Sequence, residues 1–265
     1  MSVVTLLTDF GWSDPWLAEM KAALDEQWAR WPEGTTFPRT QDLGHDIPPG
    51  DVAAAAWFLE RVHHRFPRGT VHLAVVDPGV GSARAPLAVA ARGQFFVGPG
   101  NGLFAFLAAE VTEVVVLDNP LYHSAHGVST TFHGRDIFAP VAAQLACGVP
   151  LDQVGNPCET ALLGRLDSPQ NTGQAFTIRW IDRFGNAITD LPRLGATGQQ
   201  LDQGLPVEVG GYRVPGPLIS YSEGSPGEPF WYWGSAGTLE IACRGESAAR
   251  RLGLRPGLAL KAVIP

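Results

Sequence analysis

Short apolar runs that stop abruptly in Asp, Gly and Pro set the pattern of the first half of the chain. Residues 3–7 run into Thr8-Asp9-Phe10-Gly11, and residues 71–76 run into Asp77-Pro78-Gly79-Val80-Gly81. Runs of that length with such ends read as buried strands. Between them Leu17, Met20, Ala23, Leu24 and Trp28 recur at helical spacing behind Pro15, which suits a first helical turn. A second unit runs from Thr36 to the polar stretch 42–46, and Pro48-Pro49-Gly50-Asp51 introduces a helix over residues 53–62. Residues 87–91, 94–97 and 114–117 add strands. Residues 137–147 read as a buried helix, preceded by a Ser/Thr-rich loop at 128–131 and the polar run His133, Arg135, Asp136. Strands alternating with helices predict an α/β domain with a largely parallel, wound sheet.

Beyond Cys147 the texture changes. Residues 148–173 are irregular, with Pro150, Pro157 and Pro169. From Gln174 onward short apolar or alternating runs (176–181, 207–209, 212–214, 230–233, 239–243 and 258–264) are separated by Gly- and Pro-rich turns. This half is predicted to be a smaller, mainly β domain, a small barrel. The boundary falls near residue 170, giving domains 1–170 and 171–265.

Composition narrows the partners. A chain of 265 residues with 45% hydrophobic and 17% charged residues is an ordinary soluble globular protein. Its net charge of −7, with scattered basic residues, argues against nucleic acid or an anionic membrane and for a small molecule. Cys147, Cys158 and Cys243 form no CxxC pair and read as free thiols of a reducing compartment. The N-terminus has no basic segment followed by an apolar one, and no apolar run approaches the roughly 20 residues of a membrane span. A cytoplasmic protein is expected.

Charged residues at the carboxyl ends of strands in an open α/β sheet are favoured site candidates. Asp77 and Arg84 lie across a Pro-Gly turn that can fold them together, and His133 can accept or orient a proton beside them. Each also has a plain use: Asp77 as a turn former, Arg84 as a solvated side chain, His133 as a hydrogen-bonded loop histidine. Asp9 can accept from the vicinal hydroxyls of a ribose or hold a turn, and Asp14 can cap the helix behind Pro15. Gly98-Pro99-Gly100-Asn101-Gly102 lacks both the GxGxxG spacing and a P-loop lysine, so it reads as a tight turn, with Asn101 as a pocket candidate. His45-Asp46 and His63-His64 raise the question of metal. Adjacent helical histidines do not share a face and no HExxH accompanies them, so no metal site is expected. No GxSxG elbow or nucleophilic cysteine motif points to acyl chemistry. In Asp182-Arg183-Phe184-Gly185-Asn186, Phe184 either stacks on a purine whose edge the amide reads, or turns into the core.

Taken together, TDFG (8–11) with Asp14, DPGVG (77–81) with Arg84, TFHGRDIFAP (131–140), DRFGN (182–186) and SAGTLEIA (235–242) resemble the S-adenosyl-L-methionine (SAM) hydroxide adenosyltransferases. These SAM hydrolases are relatives of the fluorinase and chlorinase. The resemblance runs from residue 3 to near the C-terminus with the motifs in order. It implies a Rossmann-like N-terminal domain, a C-terminal β-barrel and a homotrimer in which SAM lies between the N-terminal domain of one subunit and the C-terminal domain of the next. It also implies attack of water or hydroxide at C5′ of SAM, giving adenosine and L-methionine, with no cofactor and no metal.

Carried over residue by residue, the resemblance assigns Asp77, Arg84 and His133 to the water and Asp9 to the ribose hydroxyls. Asp14 falls at the methionine end, Phe184 and Asn186 at adenine, and Asp182 and Ser235 at the methionine amino and carboxylate groups. Halogenating relatives carry Tyr in place of Asp77 and Ser in place of Gly134, and residues 81–98 are too short for the fluorinase loop. Hydroxide is therefore expected over halide, and catalysis over a non-catalytic adenosine or SAM binding module. The chain departs from the family at Gly100, Asp190, Gly234 and Ala236, the last two leaving backbone amides to meet the methionine carboxylate.

Overall fold

A computed structural model describes residues 3–33, 35–166 and 176–264. The chain divides into two compact units, Met1–Leu166 and Asp167–Pro265, and the boundary expected near residue 170 lies outside the described residues.

The first unit is built on a seven-stranded sheet of order β2-β1-β3-β5-β4-β6-β7. Its strands are β1 (Val3–Thr8), β2 (Arg39–Gly44), β3 (Val71–Val75), β4 (Pro86–Ala91), β5 (Gln94–Pro99), β6 (Val111–Val116) and β7 (Asn156–Pro157). The strands β2, β1, β3 and β5 run parallel, so the carboxyl ends of β1, β3 and β5 open on one edge of the sheet. The strands β4, β6 and β7 pair antiparallel. The direction of β4 is set by Arg92-Gly93, the two residues between β4 and β5, which both have positive φ (53° and 75°). That pair matches the right-handed strand twist and closes a hairpin, and two residues are far too few for the crossover a parallel pair needs.

Helices α1 (Trp16–Trp28) and α3 (Ala139–Ala146) share one core with Val4, Leu6, Leu73 and Val75. Helix α2 (Val52–Val62) buries Ala54, Ala55, Ala56 and Leu59 and is capped by the Asp51 carboxylate, which accepts from the Ala54 N–H at 2.9 Å. Helix α3 is alanine-rich and almost wholly buried, so it packs close to its neighbours. It is entered through one π-helical turn, Gly134–Phe138, so the helical path begins before the expected residue 137 and places His133 at its N-terminus.

The second unit is an antiparallel sheet of order β11-β10-β14-β8-β9-β13-β12. Its strands are β8 (Phe176–Ile181), β9 (Ala187–Pro192), β10 (Val207–Val209), β11 (Tyr212–Val214), β12 (Pro229–Trp233), β13 (Thr238–Cys243) and β14 (Ala259–Ala262). The segment after β11 closes the sheet toward β12: the Trp231 N–H donates to Pro215 O at 2.9 Å and the Leu218 N–H to Trp231 O at 3.0 Å. Barrel closure of this kind leaves no open sheet edge there. Trp231, Leu239, Ile241, Val207 and Leu260 fill the interior. Strand β9 was not expected from the sequence, because Asp190 and Pro192 interrupt its apolar alternation. Asp190 is satisfied by the N–H and hydroxyl of Thr177 on the neighbouring strand β8, both at 2.7 Å. Among the described residues no helix is long and apolar enough to cross a membrane.

Trp231 is fully buried, and its indole N–H donates to Leu205 O at 3.2 Å. Trp231→Ala is expected to destabilise the barrel unit by about 3–5 kcal/mol, read as a lower midpoint in denaturant unfolding.

Candidate active site

Strand β3 delivers Asp77 to the carboxyl edge of the sheet. Asn101, at the end of β5, donates from Nδ2 to Val76 O at 2.9 Å and so pins the chain one residue before it. The loop then turns back through Gly81, whose φ is +75°. A β-carbon on Gly81 would stand 2.5 Å from Thr130 O, so the Asp77 loop and the 124–133 loop touch through bare backbone. That approach lets Arg84 reach both. Its Nε donates to Asp77 Oδ1 at 2.9 Å, its Nη2 to Asp77 Oδ2, and its Nη2 also to His133 Nδ1 at 2.8 Å. The side chains are only 8% (Arg84) and 6% (Asp77) exposed. The Arg84 guanidinium lies 5.2 Å from the centre of the Phe138 ring, a face that attracts a cation.

The hydrogen-bond polarity follows from the chemistry. A guanidinium only donates, so His133 Nδ1 must accept and the neutral ring carries its proton on Nε2. Burial, and then the Arg84 charge, hold the His133 pKa below the ordinary histidine value. Arg84 Nη1 is buried with no hydrogen-bond partner among the described residues.

His133 and Asp77 line a cleft of about 470 Å³ together with Asp9, Trp16, Phe132 and Gly134. Asp9 follows β1 and accepts from the Gly50 N–H at 2.8 Å through Oδ2. Phe132 meets Phe10 and Trp16 edge-on, with centroids 5.6 and 5.7 Å apart, which makes one side of the cleft aromatic. A β-carbon at Gly134 would sit 3.2 Å from the Phe132 ring and 3.5 Å from Phe10, so a side chain there would enter between the two rings. The rest of the polar run beside His133 is structural. Asp136 is buried, accepts from Arg135 Nε at 2.7 Å and from the Ser129 N–H at 2.8 Å, and Arg135 reaches Glu19 on α1 at 2.7 Å.

Three predicted residues, Asp9, Asp77 and His133, line the first unit's cleft, and Arg84 is bonded to the last two. Asp14 is exposed and does not line it, nor does it cap α1, whose N-cap is Pro15. Asn101 braces the strand ends rather than lining the cleft. Gly100, where the family has Asp, lies where a β-carbon would come within 2.5 Å of Leu162 O.

In the second unit Asp182, Phe184 and Asn186 form one turn. Asp182 Oδ1 accepts from the Phe184 and Asn186 N–H groups at 2.9 and 2.8 Å, and Oδ2 from Asn186 Nδ2 at 2.9 Å. Gly185 packs on Ser247, and Phe184 stands out at 79% exposure, which excludes the core alternative for its ring. Ser235 is exposed in the hairpin between β12 and β13. Gly234 has no room for a side chain, because a β-carbon there would fall 1.8 Å from Glu240 Oε1.

Sequence reasoning missed Phe10, Trp16, Gly50 and Phe132. Phe10 and Phe132 sit inside the two quoted motifs, which was the available signal. Gly50 contributes only a backbone N–H, which no side-chain reading detects.

Residues 4–155 match the N-terminal domain of the SAM hydroxide adenosyltransferases, and residues 176–261 match their C-terminal domain. The chain belongs to the SAM hydroxide adenosyltransferase family. An (R)-S-adenosyl-L-methionine hydrolase of Thermus thermophilus is 40% identical over 98% of this chain and 99% of the relative. A fluorinase of Actinopolyspora mzabensis is 26% identical over 83% of this chain and 85% of the relative. Among solved structures, an uncharacterized conserved protein from Thermotoga maritima superposes with a TM-score of 0.86 at 30% identity, covering 98% of this chain and 99% of that one.

Two expectations follow. Gly81→Ala places a methyl against Thr130 O in a left-handed turn and should cost about 1–3 kcal/mol of stability, measured by thermal or denaturant unfolding. Protonating His133 Nδ1 would set two donors against each other at Arg84. Because the folded pKa lies below the ordinary value of about 6.5, activity should be flat through neutral pH and fall on the acid side, with an apparent pKa for kcat below that value.

Proposed function

We propose that this protein hydrolyses S-adenosyl-L-methionine to adenosine and L-methionine. The observation that carries the reading is the buried Arg84 that joins Asp77 to a neutral His133, both of which line the cleft. In this reading a water oxygen accepts from that centre and faces C5′ of the substrate. The oxygen forms a bond to C5′ as the C5′–S bond breaks, the electron pair goes to sulfur, and one proton of the water is released to solvent. Sulfur leaves as a neutral thioether, so no acid is required on the methionine side and no cofactor enters. The protein's task is to hold the nucleophile in line and partly desolvated.

Asp9 Oδ1 is assigned to the ribose hydroxyls, Phe184 to stacking on adenine, and Asn186 to the adenine edge. Asp182, Ser235 and Asp14 are assigned to the methionine end. Asp182 spends much of its hydrogen-bonding capacity on its own turn, so the backbone of the 234–237 hairpin shares that task. A homotrimer that brings Phe184 of one subunit to the cleft of another fits the exposure of that ring. The unpaired Cys147, Cys158 and Cys243 support a reducing, cytoplasmic setting. Against halide as nucleophile stand Asp77, where the halogenating relatives carry Tyr, and Gly134, where they carry Ser.

Incubation with SAM should yield adenosine and methionine in equal amounts by chromatography, with no halide dependence; absence of adenosine from neutral to mildly alkaline pH, where the lowered His133 pKa keeps the ring neutral, overturns the reading. Asp77→Ala and His133→Ala should each lower kcat by about a hundredfold or more while SAM affinity, measured by calorimetry, changes only a few-fold.

A further inference from the structure

His45 is fully buried, yet it lies outside the water centre and its apparent metal-ligand pairing with Asp46 finds no use. Its ring lies between two polar partners. Nε2 is 3.1 Å from Asp42 Oδ1, and Nδ1 is 2.8 Å from Thr8 Oγ1, itself fully buried. The Thr8 hydroxyl in turn accepts from the Phe10 N–H at 3.2 Å, and His45 O accepts from the Gly11 N–H at 2.8 Å. The first contact spans Asp9, and the second holds the turn that follows it. At the far end Asp42 Oδ2 receives Lys21 Nζ at 2.7 Å.

We propose that Asp42, His45 and Thr8 form a positioning chain that fixes the Asp9 carboxylate toward the substrate ribose. The statement rests on the SAM-hydrolase reading and adds residues to it. The polarity of the chain is determined from its acceptor-only end. A carboxylate between Lys21 and His45 only accepts, so His45 carries its proton on Nε2 and accepts at Nδ1. Thr8 must then donate its hydroxyl proton to Nδ1, which leaves an oxygen lone pair directed at the Phe10 N–H. Burial holds the His45 pKa below the ordinary histidine value, which keeps the ring neutral and this polarity intact.

The fold supplies the alignment. Strands β1 and β2 pair Leu6 with Asp42 but Leu7 with Gly44, a one-residue bulge that brings His45 level with Thr8. The Thr–His–Asp order resembles a nucleophile relay, but the Thr8 hydroxyl is buried and already engaged by Phe10, so it shapes the turn and does not attack. Asp9 uses Oδ2 on the Gly50 N–H, and the turn directs the other oxygen.

The test is Thr8→Val, which keeps the shape and removes the hydroxyl. KM for SAM should rise about tenfold, the size of one lost hydrogen bond to a charged site, with kcat within about threefold of wild type. Thr8→Ser should restore KM. If the chain acts through Asp9, the Thr8→Val penalty should vanish in an Asp9→Ala background. Asp42→Leu cuts the chain at an exposed position and should raise KM in the same direction, again only when Asp9 is present; it provides the answer if Thr8→Val does not fold. An unchanged KM in both variants, or a KM rise that persists without Asp9, overturns the inference while an active wild type leaves the functional reading standing. A wild type that forms no adenosine overturns the functional reading and this inference together.

Discussion

The buried fork between Arg84 and Asp77 is the constraint that organises the first unit's site. A guanidinium taken out of water is tolerated only when carboxylate and other acceptors replace its hydration, and removing one partner strands a charge in the interior. Arg84 meets that demand from two loops, taking Asp77 from its own and His133 Nδ1 from one 49 residues further along the chain. Much of the surrounding backbone can be understood as making this possible. Gly81 lets the loops touch, Asn101 fixes the end of β3, and the π-helical turn after His133 presents Phe138 beneath the guanidinium.

The same fork sets the electrostatics. Asp77 and Arg84 cancel, and His133 stays neutral, so the floor of the cleft carries no net positive charge toward a sulfonium substrate. An imidazolium there would repel such a cation and would also lose its bond to Arg84. Neutrality of His133 is thus required twice over, by the substrate's charge and by the donor that faces Nδ1. The aromatic wall of Phe10, Trp16 and Phe132 lowers the local polarity, which strengthens each of these contacts relative to water.

Much of this was legible in the sequence. Strands ending in Asp9 and Asp77 and a polar run before a buried helix marked the elements that meet, because ligands bind outside the carboxyl ends of parallel strands, although each Asp read alone had an equal use in a turn. What stayed hidden depended on backbone contacts or on partners distant in sequence. The direction of β4 follows from two residues at 92–93, whose hairpin signal is weak because Arg rather than Asn or Asp precedes the glycine. Strand β9 was masked by Asp190, whose partner Thr177 sits on another strand. Phe184 could not be placed from its neighbours alone, since a turn aromatic serves a core or a ligand equally well. The departures at Gly100 and Gly234 gain a reason only from what presses on them, Leu162 O and Glu240.

Two histidines, one bonded to Arg84 and one behind the Asp9 turn, obey a single rule. Each is buried enough to stay neutral, and each has its tautomer dictated by a partner that can play only one part. Arg84 can only donate, so His133 accepts at Nδ1 and keeps a donor on Nε2; Asp42 can only accept, so His45 donates from Nε2 and accepts at Nδ1. Charge is therefore placed one group away from the working atom in both cases, and what reaches that atom is orientation. A site built this way holds its donors and acceptors fixed before substrate arrives. That removes reorganisation from the reaction step, which is where preorganised dipoles gain most over water.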